Sequence, residues 1–179
     1  MSTDTSKRGF TIIEVVLVLA IAGLIFLMVF LALPALQRSQ RDSQRKNDLS
    51  RVVTSLASYQ QNNKGAVPAK TTAAWQAFGF KYLTSSGDTF IDPSGANSAT
   101  VATPPTSTST GTGSTATAYE FQYSAATLSA KFDSASTQNV IYAASGYTCG
   151  TDGAITVAGD RKVALRMYLE GGGVACVNN

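Results

Sequence analysis

A carboxylate set just inside a long apolar run is the first place in this sequence where chemistry is expected. From Phe10 to Leu36 the chain reads FTIIEVVLVLAIAGLIFLMVFLALPAL, and Glu14 is the only ionisable side chain in it. So near the end of the run, the acid can snorkel toward polar headgroups, or it can await a cation. The nearest cation is a latent one. Gly9-Phe10 sets a small residue before a bulky apolar one, a bond that a peptidase can select. Cutting there frees an α-amino group whose ordinary pKa, near 8, leaves it protonated at neutral pH. Within one helix that amine sits at the positive end of the macrodipole, close to Glu14. Between parallel helices it can pair with the Glu14 of a neighbour and set their axial stagger. Buried ionic groups are better attested as register devices than as sources of stability.

Composition removes most competing chemistries. The chain has 179 residues and a mass of 18.7 kDa, enough for one domain with a modest core. Charged residues make up 14%, against about 25% in an average soluble domain, and the formal net charge is +3. There is no histidine, which excludes Ser-His-Asp and Cys-His catalysis and takes away the commonest zinc and iron ligand. Two cysteines cannot form a four-thiolate site, and the sequence has no phosphate-binding loop. Asp88, Asp92, Asp152 and Asp160 do not follow the spacing of a calcium loop. The expectation is a protein that is not an enzyme, with no metal and no cofactor.

A helix must position the acid and the Gly9-Phe10 bond. As a helix, Phe10–Leu36 spans about 40 Å, more than the ~30 Å hydrocarbon core of a bilayer requires. An ordinary secretory signal has a shorter apolar stretch and a small-residue cleavage site after it; here Gln37-Arg38-Ser39-Gln40-Arg41 follows instead. The helical pattern then continues in polar form. Leu49, Val52, Val53 and Leu56 follow i, i+3, i+4, i+7 spacing and Tyr59 extends the stripe, while Asp42 and Lys46 form an (i, i+4) pair in the favoured order. Lys64-Gly65 and then Pro68 spell a stop. One helix is therefore expected from about Phe10 to Asn63, apolar all round in its first half and amphipathic in its second. Arg38, Arg41, Arg45, Lys46 and Arg51 read as a solvated or headgroup-facing basic surface, with intersubunit pairing as the alternative.

Residues 65–179 read as a small globular head. Trp75, Phe78, Phe80, Tyr82 and Leu83 are short apolar anchors expected to pack on the helix stripe, before a turn signal at Asp92-Pro93-Ser94-Gly95. Residues 98–118 are low-complexity Ser/Thr/Ala/Gly with Pro104-Pro105, too poor in large apolar groups to offset ordering entropy, and read as a mobile surface loop. Strand patterns follow at Tyr119–Tyr123, Asn139–Ala143 and Val163–Glu170, the last being the clearest alternation in the chain. The expected fold class is α+β: a long N-terminal helix packed on a small antiparallel sheet of three or four strands.

The string Lys7-Arg8-Gly9-Phe10-Thr11-Ile12-Ile13-Glu14-Val15-Val16-Leu17-Val18 resembles the N-terminus of type IV pilins and, more broadly, of class III signal peptide (prepilin) proteins. The basic leader, the glycine before the cut, the aromatic first mature residue and the glutamate four positions on all match, and Gly23 falls where the family commonly has a helix-loosening glycine. The family's helix proline would fall at Leu31, whereas this chain has Pro34, about one turn later. The resemblance implies a leader over residues 1–9 with Lys7 and Arg8 as its basic residues, cleavage between Gly9 and Phe10 by prepilin peptidase, and N-methylation of Phe10. It implies a transmembrane and filament-core segment over 10–36, continued by 37–64, with Glu14 neutralising the N-terminus of an adjacent subunit in a homopolymer. It also implies an assembly ATPase and a membrane platform protein as partners. Adhesion, twitching motility and DNA uptake are the roles such bacterial fimbriae serve; no host or surface ligand is indicated.

Topology carries a conflict. Two basic residues, Lys7 and Arg8, precede the span and five follow it, a bias that alone would put the C-terminal region in the cytoplasm. The resemblance puts the leader in the cytoplasm and the head outside, as a single-pass cytoplasmic-membrane protein before assembly and an extracellular filament after it. An exported head agrees with reading Cys149 and Cys176 as a disulfide bounding the C-terminal region 149–176, which in pilins staples the last strands to the head. The alternatives are a pseudopilin of a type II secretion system, or an uncleaved membrane-anchored binding protein.

Overall fold

A computed structural model describes residues 9–84, 90–93, 119–126, 139–151 and 153–179. The Ser/Thr-rich segment 98–118, Lys7, Arg8, Asp88 and Asp152 lie outside the described residues. The chain divides into two compact units, Met1–Arg38 and Ser39–Asn179.

Helix α1 runs from Ile12 to Asn62, close to the limits its sequence pattern sets, and continues through Pro34. Its end is built as the stop signal requires. Lys64 and Gly65 take positive φ values of 54° and 81°, and the Gly65 amide turns back to donate to the Gln60 carbonyl at 2.7 Å. In the first unit the apolar side chains of α1 are exposed, from Ile12 through Leu36. It is the one helix among the described residues that is long and apolar enough to cross a membrane, with a mean hydropathy of 3.2 over its most apolar window.

In the second unit, Leu49, Val52 and Leu56 of α1 are fully buried and form the core with Trp75, Phe78, Leu83, Phe121, Ile141, Val163, Leu165 and Met167. The anchors Trp75 and Phe78 come from a helix, α2 (Thr72–Gly79), followed by a π-helical turn at Phe80–Thr84. The Thr71 hydroxyl caps α2 by accepting from the Ala74 amide. Phe78 is the hub of an aromatic cluster, with ring centroids 5.5 Å from Trp75, 5.6 Å from Tyr59 and 6.0 Å from Phe121. This close approach explains Gly79, since a Cβ there would lie 2.6 Å from the Phe121 ring.

The main sheet has the order β1-β2-β5-β6, formed by Glu120–Tyr123, Val140–Ser145, Val163–Tyr168 and Val174–Asn178. It is mixed rather than wholly antiparallel: β1 runs parallel to β2, with Phe121 opposite Ile141, while β2–β5 and β5–β6 are antiparallel. The chain between Tyr123 and Val140 exceeds the dozen or so residues that a parallel crossover needs, whereas a hairpin would need only a few. A separate two-stranded sheet joins β3 (Tyr147–Cys149) to β4 (Ile155–Val157). Cys149 on β3 and Cys176 on β6 are bonded, with an S–S distance of 1.97 Å and Cα atoms 5.8 Å apart.

Strand β5 is buried on both faces. Val163, Leu165 and Met167 enter the core, and on the other face Arg166 is fully buried as well. Its guanidinium donates to the carbonyls of Ser124, Ala126 and Gly153, so one arginine holds the exit of β1 and the β3–β4 connection against the sheet. Burial lowers its pKa, partly opposed by Tyr168 and Tyr142.

Candidate functional site

Helix α1 opens with Thr11-Ile12-Ile13-Glu14, the T-x-x-E pattern of a capping box. The Glu14 amide donates to Thr11 Oγ1 at 3.4 Å, and the Thr11 amide donates back to Glu14 Oε2 at 2.9 Å. The Thr11 hydroxyl donates to the same Oε2 at 2.8 Å. One carboxylate oxygen thus takes two hydrogen bonds from the first turn of its own helix. The other, Oε1, accepts no hydrogen bond from the described residues. The carboxylate is fixed in place yet keeps a face open to a donor from outside.

The surroundings suit such a donor. Phe10 is 91% exposed, and a shallow apolar recess of about 230 Å³ is lined by Phe10, Glu14, Val15, Val18 and Leu19. A Cβ added at Gly9 or Gly23 would meet nothing within 4 Å. Neither glycine is demanded by packing inside the chain, although glycine within a helix costs about 1 kcal/mol relative to alanine.

A second concentration of charge lies where α1 enters the head. Arg45 is fully buried and binds three carboxylates: Asp92 through Nε at 2.8 Å and Nη2 at 2.9 Å, Glu170 through Nη2 at 2.9 Å, and Asp42 through Nη1 at 3.2 Å. Arg41 also clasps Glu170, with Nη2 to Oε2 at 2.6 Å. The Asp42 carboxylate accepts from the amides of Glu170 and Gly171, each at 2.8 Å. One turn along α1, Asp48 accepts from the Tyr119 hydroxyl at 2.9 Å and from Arg51 at 3.1 Å. Burial would lower the Arg45 pKa, but hydrogen bonds and charge from Asp92 and then Glu170 raise it above the ordinary arginine value. Burial likewise works to raise Glu170, and Arg41 and Arg45 outweigh it and hold the carboxyl below its usual range. Tyr119 is pushed up by burial and by Asp48.

This network corrects the reading of the basic cluster as one solvated surface. Arg38 and Lys46 are exposed, but Arg41, Arg45 and Arg51 are engaged by carboxylates of the fold. The expected Asp42–Lys46 pair gives way to Arg45 and the two amides, because a buried site rewards several hydrogen bonds where an exposed (i, i+4) pair contributes little. Two local signals in the sequence point to these partners. The T-x-x-E pattern identifies Thr11 as the partner of Glu14, and Asp42 and Arg45 are already an (i, i+3) pair. Among the described residues, no group of histidine, cysteine or acidic side chains is arranged to hold a metal ion.

Residues 4–30 match the family described as the prokaryotic N-terminal methylation motif. No curated protein and no solved structure matches the chain. The match supports a type IV pilin- or prepilin-like class III signal peptide at the N-terminal segment, and with it a pilin-like or pseudopilin precursor. Such a motif implies processing by prepilin peptidase and filament assembly, and with the apolar helix it fits membrane anchoring before assembly.

Proposed function

We propose that this chain is the structural subunit of a type IV pilus-like surface filament, cut between Gly9 and Phe10, N-methylated at Phe10 and polymerised through residues 10–36 of α1. The observation that carries the reading is Glu14, held inside the matched motif by its own helix cap, with no described residue bonded to Oε1. In the membrane, the Thr11 hydrogen bonds partly replace the water that the carboxylate gives up. During assembly, the protonated amine at Phe10 of one subunit takes the open oxygen of the next. The charge pair fixes the stagger, and the exposed apolar side chains around the recess pack on the neighbouring helix. Thr11 acts as a positioning residue for Glu14.

The leader, with Lys7 and Arg8, stays in the cytoplasm while the head is exported. The Cys149–Cys176 bond supports an oxidising location, and the Ser/Thr-rich segment supports a head displayed on a surface filament over a secretion pseudopilus. The chain has no phosphate-binding loop, so extraction from the membrane draws on a separate assembly ATPase and platform protein. Adhesion, twitching motility or DNA uptake is the service of the filament. Mass spectrometry of sheared surface fibres tests the reading: the expected N-terminal peptide begins at a methylated Phe10. Fibres lacking this chain, or carrying it with residues 1–9 attached, would overturn the proposal.

A further inference from the structure

The small sheet of β3 and β4 ends in an edge that the rest of the described fold does not use. Ala158 donates to the Gly146 carbonyl at 2.7 Å and Gly150 to the Ala154 carbonyl at 2.9 Å. Alternation makes Thr148–Thr156 the hydrogen-bonded pair between these two, and turns the amides and carbonyls of Ile155 and Val157 away from β3. Among the described residues nothing hydrogen-bonds to those four groups. The edges of the main sheet are treated differently. On β1 the Tyr123 amide donates to Thr72 Oγ1, and on β6 the Asn178 side chain accepts from the Cys149 amide while Cys176 is disulfide-bonded. Strand β4 lacks the usual guards, because Ala154–Gly159 reads AITVAG, with neither charge nor proline. Val157 is 82% exposed, against 40% for Ile91, the other large apolar side chain exposed in the described head.

This edge is complementary to itself. When it is set antiparallel to a second copy about a two-fold axis at Thr156, Ile155 faces Val157 of that copy, and Val157 faces its Ile155. Each pair exchanges two N–H···O=C bonds, so the four outward groups of both copies are satisfied together. The flanks meet as Ala154 against Ala158, with no bulky or charged side chain between them. Ile155 and Val157 lie on the face that carries Tyr147 and Cys149 of β3, so the paired copies share one row of side chains across four strands. A two-stranded sheet is marginal in water, and pairing removes that weakness. We propose that the partner of this edge is a second copy of the chain, joined head to head through β4. A two-fold contact closes on itself, so it is separate from the repeating contact proposed for residues 10–36 and does not rest on it.

The test is cross-linking of the full-length protein in detergent micelles. Thr156→Cys places both sulfurs at the axis, where a non-hydrogen-bonded antiparallel pair holds its Cα atoms about 4.5 Å apart, within disulfide range. Oxidised glutathione takes up the electrons of the two thiols, and mass spectrometry identifies the linked peptide. The link should form at least about tenfold faster than for Asp160→Cys, an exposed position beyond the end of the edge. Association through α1 would raise both rates alike, so a failure of the filament reading leaves this comparison intact. Adding Val157→Pro removes an outward N–H that the β3–β4 ladder does not use. It should slow the link about tenfold and leave unfolding followed by Trp75 fluorescence unchanged. Val157→Lys keeps every backbone donor and should slow the link as well, by guarding the edge with charge. In the wild-type protein, amide exchange at Ile155 and Val157 should slow as protein concentration rises. Equal rates for Thr156→Cys and Asp160→Cys would overturn the proposal. So would a rate indifferent to both Val157 variants, or exchange at these two amides that is independent of concentration.

Discussion

The two halves of helix α1 make opposite use of their residues. Residues 12–36 are almost wholly apolar and largely exposed, with one acid tied to the first turn. Residues 39–62 hold far fewer apolar side chains, yet they bury Asp42, Arg45 and Asp48 together with Leu49, Val52 and Leu56. Hydrophobicity therefore does not tell which half is enclosed by the chain. In the proposed assembly the oily half takes lipid or other subunits as its partners, whereas the charged half finds its partners in the head. Among the described residues, the acid in the first half keeps one oxygen without a hydrogen bond, whereas Asp42 and Asp48 in the second are both bonded.

The contrast is broken most strongly at Arg45. Arg45→Met strips the counter-charge from Asp42, Asp92 and Glu170 and should destabilise the head by about 3–5 kcal/mol. The chain's single tryptophan, Trp75, is fully buried in the head, so denaturant unfolding followed by its fluorescence reads this change locally. A change under about 0.5 kcal/mol would mean that the network contributes little. Reducing Cys149–Cys176, which are 27 residues apart, should cost about 3–4 kcal/mol by the same assay and leave the apolar half untouched.

Acid sharpens the comparison. Because the folded Glu170 pKa is held below its ordinary 4.5, its contribution is fully present above that value and is lost as pH falls through the lowered one. Head stability should fall on acidification below about pH 4.5, and Glu170→Gln should flatten part of that fall. An unchanged acid limb would contradict the ion-pair assignment. A smaller effect is expected for Thr11→Val. Loss of the cap, worth about 1 kcal/mol, should speed amide exchange in the first turn of α1 roughly fivefold without moving the Trp75 transition. Smallest of all, Lys46→Gln should shift head stability by less than about 0.5 kcal/mol, as befits an exposed residue outside the network.

Much of this architecture is written locally. The span of α1, its glycine stop, the stripe from Leu49 to Leu56 and the alternation of β5 follow from periodicity and turn chemistry, and the structure has them close to where the pattern puts them. The parallel pairing of β1 with β2 is not local. Neither is the burial of Arg45, whose partners Asp92 and Glu170 lie 47 and 125 residues away in the chain. Arg166 misleads for the same reason: an alternating strand shows a polar face, and only the segments laid over that face turn it into a second interior. Short elements such as α2, β3, β4 and β6 carry too few residues for their period to stand out. At the candidate site, Glu14 and Gly9-Phe10 stand out in the sequence by type and spacing, whereas the pairing of Thr11 with Glu14 shows only in the T-x-x-E capping pattern.

Glu14→Gln separates charge from geometry, because a glutamine at this position of a capping box can still accept from Thr11. Co-expressed with wild-type subunits, the variant should be present in the membrane at normal levels and depleted at least tenfold in sheared fibres, as quantified by mass spectrometry of the two N-terminal peptides. An equal ratio of variant to wild type in membranes and in fibres would contradict the claim that one subunit's amine seeks out the next subunit's carboxylate.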